Sequence, residues 1–302
     1  MSRSHKLLDR CNSRATVSSG LLFAALSLLS VSCDTQDYAS HASLVVSIGE
    51  QVQLISTSGE RIRTFGYHGV MPSWTPDGGA FVFIGFDGVM LQQIGAPTPR
   101  FLFSAGVLPG HPFPLSDGSV LVQVCPTCEV LVTWSIGFYN ASAKELSYLT
   151  DALTDDRSPV AAELRESIYF LSDRDTSLNG SQVYRMSLTG SDPVRVSSNR
   201  QATSGEGLAI SGDEQLLAYA DAGDIYILDL DTEQIVDSLT LPPGHSNRGS
   251  LSFSPDGDSI AVVTQSGIDA QAHLLLYDLS TKSFREILTS IHRISASWRR
   301  TG

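Results

Sequence analysis

Val70-Met71-Pro72-Ser73-Trp74-Thr75-Pro76-Asp77-Gly78 and Ser250-Leu251-Ser252-Phe253-Ser254-Pro255-Asp256-Gly257 are two versions of one phrase. In each, a short apolar strand runs into a Pro-Asp-Gly turn. Eroded copies stand at Leu208-Ala209-Ile210-Ser211-Gly212-Asp213 and Ile294-Ser295-Ala296-Ser297-Trp298. Trp74, Phe253 and Trp298 hold equivalent positions, the last two 45 residues apart. A strand-and-turn unit recurring every forty-odd residues is the sequence mark of a β-propeller.

Working outward from the phrase, strand-like runs follow one another with turn residues between them, and no long stretch shows a helical period. The Ser250 copy heads a complete unit of four strands, 251–254, 260–264, 273–279 and 284–288, which is the content of one blade. Four more units precede it: 71–75, 80–85, 89–94 and 100–104; 112–115, 120–124, 130–135 and 144–149; 159–162, 168–172, 182–187 and 194–197; and 208–211, 216–220, 224–230 and 235–239. Three strands at 44–48, 51–55 and 61–65 lack a first strand, and 294–298 is a first strand without followers. Joined, they make a sixth blade. The predicted fold is therefore all-β, a six-bladed propeller of four-stranded antiparallel blades, with strands from residues 44–65 and strand 294–298 closing the ring. Closure removes sheet edges that would otherwise invite association.

The first thirty residues read differently. Arg3, Lys6, Arg10 and Arg14 precede an apolar run from Leu21 to Leu29, and small residues lead to Cys33. A basic region, a short apolar region and a processing site make an export signal. The apolar run is too short for the ~20 residues of a spanning helix. Leu29-Ser30-Val31-Ser32-Cys33 resembles the lipobox of bacterial lipoproteins, although Ser30 stands where that family prefers leucine. The resemblance implies acylation of Cys33, a signal peptide at 1–32, a tether at 33–42 and one propeller domain at 43–302. Asp34 looks like the inner-membrane retention residue of enteric lipoproteins, so the implied site is the periplasmic side of the inner membrane, with the outer membrane as the alternative. Without residues 1–32 the chain carries 16 Lys+Arg against 31 Asp+Glu, a formal charge of −15. Such a body is repelled by nucleic acid and by anionic headgroups, so nucleic-acid binding is excluded and membrane residence falls to the lipid.

The Ser-Trp-Thr-Pro-Asp-Gly and Ser-Phe-Ser-Pro-Asp-Gly phrases, with Ile260-Ala261-Val262-Val263 and Ile225-Tyr226-Ile227-Leu228-Asp229-Leu230, resemble TolB-type propeller repeats. The match spans nearly all of residues 43–302. It is strongest in the first and fifth units and weakest where Pro114 and Ala161 replace the aromatic. The resemblance implies a six-bladed disc used for protein contacts in the cell envelope, with the channel mouth receiving an extended peptide. Members of that family carry a separate α/β domain before the propeller. Here about ten residues lie between Cys33 and the first strand, a tether of at most ~35 Å. The expectation is a monomeric disc beside the membrane.

Catalytic motifs are missing. No nucleophile elbow, zinc-binding H-E-x-x-H or phosphate-binding glycine loop occurs. Asp77 and Asp256 belong to turns, where aspartate binds its own backbone. Asp155-Asp156 and Asp229-Leu230-Asp231 read as solvated loop charge. Cys125-Pro126-Thr127-Cys128 lacks the βαβ context of a redox pair and the second pair of a zinc site, leaving a local disulfide. His68, His111, His245 and His292 each lie a few residues before the first strand of a blade. Loops entering the innermost strands converge on one channel mouth, so these imidazoles could gather there, beside Arg157, Glu206 and Arg248, and bind a divalent metal or a carboxylate. Two functions follow: a non-catalytic, membrane-tethered propeller without cofactor that engages an envelope protein or peptide, or a lyase-like propeller enzyme with a metal or ligand at a His-lined mouth.

Overall fold

The computed structural model describes residues 42–104, 109–128, 132–175, 180–196, 207–221, 223–267 and 270–300. The signal segment, Cys33, Asp34 and nearly all of the 33–42 tether lie outside these residues, as does Glu206. Among the described residues no helix is long and apolar enough to cross a membrane.

Six four-stranded antiparallel sheets follow one another. The first comprises β4 (Val70–Trp74), β5 (Ala80–Ile84), β6 (Val89–Gln93) and β7 (Arg100–Phe103). The second is β8 (Gly110–Pro114), β9 (Val120–Val124), β10 (Ser135–Asn140) and β11 (Glu145–Tyr148). The third is β12 (Asp156–Ala162), β13 (Ser167–Ser172), β14 (Gln182–Ser187) and β15 (Val194–Arg195). The fourth is β16 (Leu208–Ile210), β17 (Leu216–Asp221), β18 (Asp224–Asp229) and β19 (Gln234–Thr240). The fifth is β20 (His245–Phe253), β21 (Ser259–Ser266), β22 (Ala272–Asp278) and β23 (Ser283–Ser290). The sixth joins the two ends of the propeller: β24 (Ile294–Trp298) pairs with β1 (Leu44–Ile48), followed by β2 (Gln51–Ile55) and β3 (Arg61–His68). Leu44 faces Trp298 and Ile48 faces Ile294 in that ladder.

Burial follows radial position. The second strands, such as Ala80–Ile84 and Val120–Val124, are buried at every residue because a neighbouring blade covers each face. Outermost strands such as β19 and β11 are mostly exposed. The core is thus a ring of inter-blade contacts. Leu44, Val46 and Trp298 pack on Val263 and Leu274 between the fifth and sixth blades, and Leu54 and Phe65 pack with Trp74 and Phe81 between the sixth and first.

One predicted strand is misplaced. The third strand of the second blade is 135–140, not 130–135. Val132 is exposed, whereas Ile136 and Tyr139 are buried. Gly137 lowers the strand signal of this stretch, yet a Cβ there would come within 3.2 Å of Val122 and Leu146, so close packing requires the glycine. A second correction concerns Asp156. It is completely buried at the start of β12, bound by Arg174, and is no solvated loop charge. Asp155 is likewise engaged, by the Arg157 guanidinium.

The repeated turns are built by their aspartates. Thr75 Oγ1 and Ser211 Oγ each donate to the aspartate two residues on, Asp77 and Asp213, at 2.6 Å, and Ser254 does the same to Asp256. Each carboxylate also accepts a backbone N–H, from Gly79, Gln215 and Asp258. Gly78 and Gly257 take the left-handed position at φ 62° and 77°. In the eroded fourth copy Glu214 occupies that position at φ 56°.

Donated hydrogen bonds hold Asp77, Asp213 and Asp256 below the ordinary carboxylate range, and those from Ser280 and Thr281 draw Asp278 down to about 2. A depressed folded pKa gives stability that is full above the unfolded value of ~3.9 and lost as pH falls through the folded one. Glu214 has the opposite sign: burial raises it, so its ionisation on folding is disfavoured. With four groups against one, urea midpoints are expected to change little from pH ~7 to ~5 on account of these groups and to fall steadily from ~4 towards ~2. Asp256→Asn should make that fall shallower. An acid profile unchanged by this substitution would contradict the assignment.

Candidate functional site

The six first strands, β4, β8, β12, β16, β20 and β24, together line one central channel. Each leaves one edge without a sheet partner, and the exposed N–H groups need acceptors. Serines of the repeated phrase supply several of them from the neighbouring blade. Ser250 and Ser252 accept from Ala296 N and Trp298 N at 3.1 and 2.9 Å. Ser295 and Ser297 accept from Met71 N and Trp74 N at 3.1 and 3.3 Å. Between the second and third blades Gln123 Oε1 accepts from Ser158 N at 3.1 Å. These bonds fix the strands that line the channel.

In three consecutive blades the first strand is bulged at the same place. Met71, His111 and Ser158 take φ of 52°, 46° and 52°, each immediately before a proline. The pairing register shifts at Val70/Ser73, Gly110/Phe113 and Arg157/Val160. Positive φ in a non-glycine residue before proline is disfavoured, and bulges of this kind re-aim side chains. His111 is brought to the channel wall in this way, with its backbone N 3.5 Å from Met71 Sδ.

The strand ends define two faces. Every first strand begins on the face that carries the connections between blades, together with the β5–β6, β9–β10, β13–β14, β17–β18, β21–β22 and β1–β2 connections. This loop face opens on the channel mouth. The opposite face carries the Asp-built turns.

Of the residues predicted to gather at the mouth, His111 and Arg248 line the channel. His68, His245, His292 and Arg157 are placed elsewhere, and Glu206 lies outside the described residues. His68 ends β3, exposed, with Nδ1 3.1 Å from Glu50 Oε2. His245 is the first residue of β20, which starts earlier than predicted and crosses a bulge between Asn247 and Leu251. Its Nδ1 lies 2.8 Å from Thr264 Oγ1, and its ring centroid lies 4.8 Å from that of His273, the two planes tilted by 58°. His292 is exposed in the β23–β24 connection, its N–H donated to Ser290 Oγ at 2.9 Å. Arg157 sits in β12, held by Asp155. His111 and His245 therefore lie on strands, not in loops. Among the described residues no three His, Cys, Asp or Glu side chains converge as metal ligands.

Two channel residues escaped the sequence reading. Arg293 stands 45 residues after Arg248, at the same repeat position, so the periodicity itself held the signal. Arg300 lies at the turn-face end with its guanidinium 4.8 Å from the Phe113 ring centroid. Desolvation lowers its pKa, while Glu163 and Glu214 act to raise it. Cys125 and Cys128 are joined by a disulfide in the turn after β9, on the loop face.

No family model matches the chain, and no curated protein matches it by sequence. Solved structures do match. TolB from Acinetobacter baumannii superposes with a TM-score of 0.68 at 21% identity, covering 86% of this chain and 67% of that one. The chain has the TolB propeller fold. A protein assigned as TolB from Agrobacterium tumefaciens gives a TM-score of 0.59 at 12% identity over 82% of this chain and 89% of that one. A chain of the nidogen/laminin complex gives 0.66 at 10% identity, covering 86% and 99%. At these identities the likeness to TolB is one of fold.

Proposed function

We propose that the chain is a non-catalytic binding propeller of the bacterial envelope, tethered to the membrane through acylated Cys33, that docks a protein partner on its loop face. The observation that carries this reading is the distribution of exposed apolar side chains. Phe86 (100% exposed), Leu153 (87%), Ile291 (79%) and Val132 (58%) all lie in loop-face connections. On the turn face the one comparable side chain among the described residues is Leu164. Large apolar groups held in water around a channel mouth mark an interaction surface, and an aromatic such as Phe86 is a typical anchor. That one structural neighbour is a chain of a protein–protein complex, and that the fold is TolB's, supports the same use. A tether of about ten residues would keep the disc within reach of proteins at the same membrane.

The test is site-specific photo-cross-linking in cells. A photoreactive residue at Phe86 or Ile291 is expected to capture a discrete envelope protein, whereas one at Asp258 on the turn face captures none. Equal capture from both faces, or capture of freely diffusing soluble proteins alone, would sink the reading.

A further inference from the structure

We propose that the cleft between the first and second blades, open on the turn face, is a binding site for a small aromatic carboxylate. The inference goes beyond protein docking on the loop face and concerns a different part of the molecule.

The repeat explains why there is space at this interface. The aromatic that ends a first strand packs against the preceding blade. Phe253 fills the interface of the fourth and fifth blades with Ala218 and Ile225, Trp298 that of the fifth and sixth with Val263, and Trp74 that of the sixth and first with Leu54. In the second blade the same position holds Pro114. The core between the first and second blades is built without it, from Val82, Phe103, Val120 and Tyr139, and a cleft of ≈ 580 Å³ stands beside the proline. In the third blade Ala161 also replaces the aromatic, but there Leu121 and Ile136 of the second blade share one continuous core with Ile168 and Phe170 of the third. Ile210, the counterpart in the fourth blade, belongs to that core itself.

The cleft has apolar walls and a charged rim. Val82, Leu91, Leu102 and Pro114 form the walls with Tyr139, whose ring stacks on Phe103 at a centroid distance of 4.2 Å. The turns at 75–78 and 115–118 bring Asp77 and Asp117 to the rim, but each carboxylate is taken up locally. Asp77 accepts from Thr75 Oγ1 and Gly79 N, and Asp117 from Ser119 N and Oγ. Arg100, the first residue of β7, and Lys144, in the β10–β11 turn, line the same cleft and are exposed. Among the described residues no side-chain hydrogen bond or ion pair engages either of them. A chain with 32 Asp+Glu against 20 Lys+Arg thus sets two uncommitted cations at the edge of one apolar cleft.

These features select the ligand. The volume falls within the ~300–1,000 Å³ of sites for whole small molecules, which pair apolar walls with a few polar groups that fix orientation. Where sister blades seat a phenyl or indole ring, the walls take the aromatic body of the ligand. The rim takes its anionic head, since a guanidinium binds carboxylate as a planar fork and an ammonium adds a point charge. A cationic head would meet Arg100 and Lys144 and be repelled.

The experiment is calorimetric titration of the full chain held in lipid nanodiscs, with empty discs as the blank. The probes are indole-3-propionate and its alcohol and amine counterparts, which share one body and differ in charge. The propionate is expected to bind at least about fivefold more tightly than the alcohol, and the amine most weakly. Combined Arg100→Gln and Lys144→Gln, both at exposed positions, should bring the acid level with the alcohol while the alcohol itself binds as before. Pro114→Trp restores the wedge of the sister blades and should abolish binding of all three. Thermal unfolding checks that each variant is folded; if Pro114→Trp is not, Ala141→Phe on the partly exposed wall closes the same space. Binding of none of the probes to the parent protein overturns the proposal. So does an acid preference that survives the double substitution, or binding unchanged in the folded, filled variant. Cross-linking from Phe86 decides the docking reading separately, since that residue lies on the opposite face.

Discussion

Replacing Trp298 by alanine is expected to destabilise the protein by about 3–5 kcal/mol, the range for emptying a large aromatic from a core. Trp298 is 7% exposed and packs with Leu44, Val46 and Ala261 where the fifth blade meets the sixth. Its strand is held to the propeller by side chains and by a single ladder, that with β1. Loosening β24 therefore uncovers the edge of β1, whose Leu44, Val45 and Val46 are completely buried, and removes the acceptors that Ser295 and Ser297 offer to β4. The predicted result is a lower urea midpoint together with association of the unfolded edge, seen by light scattering. A second variant separates closure from simple loss of volume. Ser47 and Ser295 face each other across the ladder with hydroxyl oxygens 2.6 Å apart. Changing both to cysteine should allow an oxidised cross-link spanning nearly the whole propeller, raising stability by about 2–4 kcal/mol and recovering most of the Trp298→Ala loss. If the two cysteines remain free thiols in the folded protein, the two strands do not share a sheet.

That closure was legible in the sequence because the chain's first three strands lack a leader and its last strand lacks followers. The turn aspartates were legible for a related reason, since Ser/Thr-x-Asp-Gly carries its own hydrogen-bond pattern in four residues. The third strand of the second blade was not, because the apolar run 130–132 outscores the stretch around Gly137 when packing against Val122 is unseen. At the site the limit is sharper. A histidine's distance from a repeat landmark fixes where its backbone falls on the disc but not where its ring points. His245 turns to Thr264 and His273, and His68 to Glu50, while the αL bulge places His111 on the channel wall. The bulges at Met71, His111 and Ser158 hold the residue before a proline at positive φ, against its local preference, so the sequence around them does not announce them. Arg293 was within reach: a repeat register applied to charge as well as to aromatic positions pairs it with Arg248.

Arg174→Ala should cost as much as losing Trp298, about 3–5 kcal/mol, by an electrostatic route. Asp156 has no exposed surface, and a carboxylate in that setting is tolerated only with partners. Arg174 Nη2 donates to both of its oxygens at 3.0 and 3.1 Å, and Thr154 Oγ1 donates to one at 3.1 Å. The guanidinium is itself fixed by Ser172 Oγ at 2.9 Å and lies 5.2 and 4.9 Å from the ring centroids of Phe170 and Tyr184. Alanine strips the charge, both hydrogen bonds and the cation–ring contacts at once and leaves the buried acid uncompensated. Arg174→Lys restores the charge alone and should recover part of the loss. Pairing Arg174→Met with Asp156→Leu removes both ions and should recover most of it, because replacing a buried pair with apolar groups is often close to neutral. A surface pair such as Lys282 with Asp237 serves as the control, with an expected effect below ~1 kcal/mol on losing the lysine. If Arg174→Ala falls in that small range, Asp156 is being solvated in the folded protein.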